Sequence, residues 1–201
     1  MAVTLPRATK TKGKKTSSEK SQTGRKKLSE TAKTLREAKR LQTLNSPINS
    51  RSDLIVFCEE EQSLKLTFNG AATLSHNKIL RVEFRLLHSY HKSWYSRVKS
   101  LVEKNKNLVT DWLNLVGESR LLLEGLEVRP TAERDTDSVS GAIKAIVDGL
   151  NHAELFKDDD QKHLFVMPLL QARGDSETVT VKLKPMPSMD GILSPEFSKY
   201  L

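Results

Sequence analysis

The residues best equipped for chemistry in this chain are carboxylates gathered around one lysine. Arg134-Asp135-Thr136-Asp137 falls just past a predicted strand and just before a predicted helix. Alternate residues of an extended segment point to opposite sides. At a strand-to-helix bend, both carboxylates can still turn toward one cation, and carboxylate oxygens with retained water are what Mg²⁺ prefers. The competing reading is a helix N-terminus carrying acids that suit its dipole. The helix predicted over 138–151 puts Val139, Ile143, Ile146 and Leu150 on one face. Asp137, Lys144 and Asp148 fall together on the opposite face, a carboxylate–lysine–carboxylate row that begins at the Asp pair. Three more acids follow in Asp158-Asp159-Asp160-Gln161. Adjacent carboxylates repel unless a cation or full hydration relieves them. A loop placed after the helix can return to the Asp135/Asp137 end and complete a three-carboxylate site.

The elements that must position these residues read as mixed. Leu54–Phe57 and Leu64–Phe68 are predicted strands, the second closed by Asn69-Gly70. Helices are expected near 92–104, with Trp94, Val98, Leu101 and Val102 on one side, and over 107–116. Leu121–Val128 is a strand closed by Arg129-Pro130. Leu164–Gln171 and Thr178–Leu183 read as a hairpin turning at Arg173–Ser176. The fold class expected is α+β, a small mixed sheet packed by helices.

Charge divides the chain. Residues 1–40 carry 13 Lys/Arg against three Glu, a net charge of +10, whereas residues 41–201 sum to −2. The expected organisation is a disordered basic tail over 1–50, a folded domain over 51–185 and a loose Pro/Ser/Met-rich tail over 186–201. Within the tail, residues 28–42 have the spacing of a short basic helix. A single cysteine, Cys58, excludes an internal disulfide and a cysteine-based zinc site and fits a reducing compartment. No apolar run reaches the ~20 residues of a membrane span. The N-terminus lacks the apolar core of a secretory signal, although its Lys-, Ser- and Thr-rich composition is compatible with organelle targeting. A Gly-rich nucleotide loop and a Ser/His/Asp motif are both absent. The pair His88 and His91 has zinc-compatible spacing but no further ligand nearby.

Over about residues 64–185, and most strongly over 120–162, the chain resembles the RusA family of Holliday junction resolvases. The pieces that carry the resemblance are Arg134-Asp135-Thr136-Asp137, Lys144-Ala145-Ile146-Val147-Asp148-Gly149-Leu150-Asn151 and Asp158-Asp159-Asp160-Gln161. The resemblance implies a Mg²⁺-dependent endodeoxyribonuclease acting as a homodimer on four-way DNA, with no membrane partner, in the cytoplasm of a bacterium or phage-infected cell. It implies Asp135, Asp137 and Asp159 as metal-binding catalytic acids and Lys144 as the active-site lysine. The family places the lysine four residues after the second Asp; here Asp137 and Lys144 are seven apart. Strict counting back from Lys144 puts Ser140 and Ser138 at the acid positions. Two accounts follow: about one extra turn is inserted and Asp135/Asp137 serve, or the protein binds junctions without cutting them.

The DNA-facing surface is expected on Asn77, Lys78, Arg81, Arg85, Lys92 and Arg134. Asn77 lies in a segment matching the family's loop that approaches DNA, here without its Pro, and Arg134 precedes the Asp pair. The other four belong to a basic stretch over 78–106 interleaved with Tyr90, Trp94 and Tyr95. Cations there can position phosphates and an aromatic can stack on an unpaired base, or Trp94 can be core and the cations its solvated side.

Overall fold

In the computed structural model, the residues described are 29–131, 134, 138, 139 and 141–187. Two helices lie against one face of a mixed six-stranded sheet. The sheet begins with an antiparallel pair, β1 (Leu54–Cys58) and β2 (Ser63–Asn69). β6 (Thr178–Pro185) pairs antiparallel with both β2 and the long β3 (Leu121–Arg129). β4 (Leu164–Val166) and β5 (Leu170–Arg173) run parallel to β3 along its other edge, one after the other. The mixed α+β architecture read from the sequence is the one present.

The period of two explains which side is buried. Leu64, Leu66 and Phe68 of β2 and Val179, Val181 and Leu183 of β6 are fully buried on one face, while Lys65 and Lys182, cross-strand neighbours, stand on the other. Leu121 and Leu123 continue the buried face along β3. Over it lies α3 (Phe84–Lys104), whose Trp94 meets Phe68 edge-to-face with centroids 5.4 Å apart. The helix starts eight residues before the predicted 92, because Leu86, Leu87 and Tyr90 extend the same apolar stripe. α4 (Lys106–Val116) follows after Asn105, as the spacing predicts.

The crossover from β3 to β4 carries α5 (Lys144–His152). Parallel strands require such a connection. Its Ile146 and Leu150, with Val139 and Ile143 ahead of it, bury the apolar stripe read from the sequence. At Gly149 the helix crosses α3 so closely that a Cβ would stand 3.2 Å from Val98 Cγ2. The helix is shorter than the predicted 138–151. Ser138 and Val139 form a helical turn, residues 141–143 are a turn, and α5 starts only at Lys144. Of the row from Asp137 through Lys144 to Asp148, Lys144 and Asp148 share α5, and Asp137 lies outside the described residues.

Two further expectations change. β5 and β6 are not a hairpin, since β3 stands between them, pairing β5 on one edge and β6 on the other. The folded part also begins before residue 51. α1 (Glu30–Leu44) is capped by Ser29, whose Oγ accepts from Ala32 N at 3.2 Å, and it buries Thr34, Ala38 and Leu41 in the core. A short 3₁₀ turn, Pro47–Ser52, joins it to β1. α2 (His76–Ile79) is a single turn ahead of α3. The tail readings for 1–28 and 188–201 lie outside the described residues. Among the described residues no helix is long and apolar enough to cross a membrane.

One buried ion pair ties these pieces together. Arg97 of α3 and Asp53 are both fully buried at the side chain. Arg97 Nε and Nη2 each donate to Asp53 at 2.7 Å, Nη1 donates to Leu44 O at 2.9 Å, and Nη2 also reaches Asn69 O at 2.6 Å. Asp53 Oδ1 in turn accepts from Asn69 N at 3.0 Å. Removing one partner leaves the other charge buried and uncompensated, a loss of about 3–5 kcal/mol. Arg97→Met is expected to lower stability by that amount in urea unfolding. A change under ~1 kcal/mol, the range of an exposed pair, would contradict this role.

Candidate active site at the start of α5

Lys144 opens α5, and its ammonium is held between two carboxylates. Nζ donates to Asp159 Oδ2 at 2.6 Å and lies 2.6 Å from Asp148 Oδ1. Asp148 sits one turn along the same helix, where an i, i+4 pair meets naturally. Asp159 comes from the loop after α5, fifteen residues on in the chain. The other two acids of that loop are used locally. Asp158 Oδ1 accepts from Asp159 N at 2.8 Å. Asp160 Oδ1 accepts from Lys162 N at 2.9 Å and His163 N at 3.1 Å, with His163 Nδ1 2.7 Å away. Asp158 and Asp160 thus shape the loop, and Asp159 is the acid presented to Lys144.

Behind Asp148 stands α3. His91 Nδ1 lies 3.5 Å from Asp148 Oδ2, and Tyr95 OH donates to the same oxygen at 3.4 Å. Burial pushes the Asp148 carboxyl up, but hydrogen bonds from His91 and Lys144 outweigh it and leave the group below its usual value of 3.8. For Lys144, burial pulls downward, and the bonds to Asp148 and Asp159 prevail and raise it. Burial and the neighbouring Asp148 charge raise Tyr95. The ammonium is thus kept charged by the acids it bridges.

A second network sets the other side of the site. Glu127 is fully buried on β3, in line with Leu121 and Leu123. It accepts from Thr73 N at 2.7 Å and from Gln171 Nε2 at 3.0 Å, and it forms an ion pair with Arg134. Arg134 also donates to Thr73 Oγ1 at 2.8 Å and Thr73 O at 3.2 Å, while its backbone N–H donates to Gln171 Oε1 at 2.8 Å. Burial pulls the guanidinium below its usual value, opposed by the Glu127 charge. Arg134, expected on the DNA-facing surface, is therefore committed to a buried carboxylate, and its contacts fix the chain immediately before Asp135. Just beyond the Asp pair, Asn77 Nδ2 donates to the buried Ser138 Oγ at 2.9 Å. Gly141 lies so close under His76 that a Cβ there would overlap the imidazole. The loop of α2 thus grips the connection on its far side.

Asp135 and Asp137 themselves lie outside the described residues. Among the described residues, no group of three or more His, Cys, Asp or Glu side chains comes together in a form that could hold a metal ion. The pair that does converge, Asp148 and Asp159, offers hard oxygen ligands of the type Mg²⁺ takes.

No family model matches the chain, and no curated protein matches it. The resemblance to the RusA resolvases rests on the residues quoted for it.

The remaining surface residues separate into two groups. Lys78 is ion-paired with Glu37 of α1. Together with Arg36, Arg40, Arg129 and Arg134 it walls a cleft of about 910 Å³ that also holds Glu37, Asp175 and Glu177. Arg40 donates twice to Glu177, at 2.9 Å each. Most positive charge there is answered in place. Arg81, Arg85 and Lys92 are exposed. Sequence reasoning missed His91 and Tyr95 as partners of Asp148. Their i, i+4 spacing on α3 was the available signal, but which helix would face it was not.

The depressed Asp148 carboxyl has a consequence for stability. Its contribution is present above the unfolded value of 3.8 and is lost as the pH falls through the lower folded value. Because Lys144 is more than half exposed, the effect is small. Asp148→Asn is expected to cost less than ~1 kcal/mol at pH 7. In urea unfolding, the gap from the unaltered protein should narrow as the pH falls below 3.8; a gap that stays constant there would contradict the assignment.

Proposed function

We propose that this protein is a Mg²⁺-dependent endodeoxyribonuclease that resolves four-way DNA junctions by paired phosphodiester hydrolysis. One observation carries the reading: a lysine at the start of the crossover helix meets the central acid of the Asp-rich loop at 2.6 Å. Both residues are those that the family resemblance singles out, and the fold brings them together across the connection that starts at the Asp pair.

In this reading Asp135, Asp137 and Asp159 would hold a Mg²⁺ ion, which would supply positive charge beside the scissile phosphate and ease deprotonation of the attacking water. The Glu127–Arg134 network fixes the segment leading into Asp135, and the Asn77–Ser138 bond fixes the segment leaving Asp137. Asp148, backed by His91 and Tyr95, holds the Lys144 ammonium at 2.6 Å. Lys144 can then keep that partner while its ammonium turns to charge developing on the phosphate. A junction with two-fold symmetry needs two cuts, which a homodimer provides.

The alternative is a junction-binding protein without cleavage. Ser138, at one of the positions where strict counting seeks an acid, is buried and engaged by Asn77. Cleavage of a labelled junction by two variants separates the readings. Asp135→Asn is expected to abolish incision and leave junction affinity within about twofold. Lys144→Ala is expected to slow incision about 10²–10³-fold, the range for losing one donor to transition-state charge. Incision by Asp135→Asn at the unaltered rate would overturn the site assignment. A protein that binds the junction tightly but never incises it would establish the alternative.

A further inference from the structure

We propose that the seam between α3 and α5 is a track for the phosphodiester backbone of one DNA strand, leading away from Lys144. The inference rests on the nuclease reading and extends it from Lys92 and Tyr95 to His88, Ser96, Lys99 and His152. A groove of about 290 Å³ lies in the seam, lined by His88, Lys92, Tyr95, Ser96, Lys99 and His152. The first five fall at i, i+4, i+7, i+8 and i+11 of one helix. At 100° per residue they form a single stripe along α3. His152, from the last turn of α5, closes the other side.

The groove has the charge a phosphate backbone requires. Its lining contains two lysines, two histidines and no carboxylate. Lys92 and Lys99 are exposed, and the nearest acid to Lys99 is Glu103 at 3.9 Å, with both side chains more than half exposed. Such a loose surface pair is readily given up to a phosphate. The contrast is with the larger cleft beside α1, where Arg40, Lys78 and Arg134 are already bound by Glu177, Glu37 and Glu127. That cleft is wider, but less of its positive charge is free to replace the counterions of DNA, which is the source of affinity.

The groove is also joined to the site. Tyr95 belongs to both: its hydroxyl donates to Asp148 at 3.4 Å, and its ring stacks on His152 with centroids 5.7 Å apart and planes inclined by 27°. Asp148 does not repel an approaching backbone at that end, because Lys144 and His91 face it. Seven residues of α3 separate Lys92 from Lys99, a rise of about 10 Å. That separation is enough for the two ammonium groups to meet different phosphates of one strand. The paired Tyr95 and His152 rings offer a flat surface on which a base at an unstacked branch point can rest.

The test is the salt dependence of junction binding, measured with chelator present so that no cleavage occurs. Lys92→Ala/Lys99→Ala, both exposed changes, is compared with Lys65→Ala on the opposite sheet face. The double variant is expected to reduce the slope of log affinity against log salt by about 2, near one unit per lysine. Its hydroxyl-radical footprint should lose protection on the strand next to the cut. Lys65→Ala should leave both unchanged. If the unaltered protein cuts the junction and the double variant keeps slope and footprint, the track is wrong and the nuclease reading stands. If the unaltered protein binds no branched DNA, both fall.

Discussion

Asp53 and Arg97 bury opposite charges at the point where the end of α1, the 3₁₀ turn, the end of β2 and the middle of α3 meet. Taking both charges out of water costs several kcal/mol each, which their mutual attraction offsets only when every polar group has a partner. Here the guanidinium reaches a carboxylate and two backbone carbonyls, and the carboxylate also takes a backbone N–H. The arrangement tolerates little displacement. It sets the register of α3 over the sheet, and with it the heights of His91, Tyr95 and Lys92 above α5. Apolar burial supplies the larger favourable term, but it is non-directional; the ion pair decides where along the sheet the helix stops.

Glu127 does the same two strands away, at the same end of the sheet, where Phe68 and Glu127 both pair with Val179. A carboxylate in line with Leu121 and Leu123 on a core-facing strand is costly unless satisfied, and it is satisfied by Thr73, Gln171 and Arg134. Three segments distant in the chain are thereby drawn to the C-terminal end of β3. The connection between β3 and α5 leaves from that point, so its first residues start from a fixed place. α2 holds it again at Ser138 and Gly141. Lys144 is the next anchored position, shared by Asp148 and Asp159. The described residues on either side, Arg134 and Ser138, are thus held by different networks.

Much of this was legible in the sequence where a period was long and unambiguous. β1, β2, β3 and α4 fall where alternation or helical spacing puts them, and the apolar stripe through Val139, Ile143, Ile146 and Leu150 is the buried one. Lys144 and Asp159 were singled out by resemblance and do converge. What failed needed knowledge of partners. Alternation reads 164–171 and 178–183 as strands, but shows neither the break between β4 and β5 nor that β3 lies between β5 and β6. Helical spacing ran through residues 141–143, where the chain turns instead beneath His76. Spacing over 28–42 foresaw α1, but its basic composition hid that Ala38 and Leu41 bind it to the core. Glu127 and Arg134 read as a strand acid and a surface base, and only the tertiary fold makes them one buried unit.

The account's central claim is that acids flanking this crossover hydrolyse DNA with a divalent cation. Incubating the full-length protein with a synthetic end-labelled four-way junction, with Mg²⁺ and separately with excess chelator, tests it most directly. The expected result is symmetric paired incisions near the branch point in Mg²⁺ and intact strands in chelator. Junction left uncut under both conditions, or cut equally in both, would contradict it.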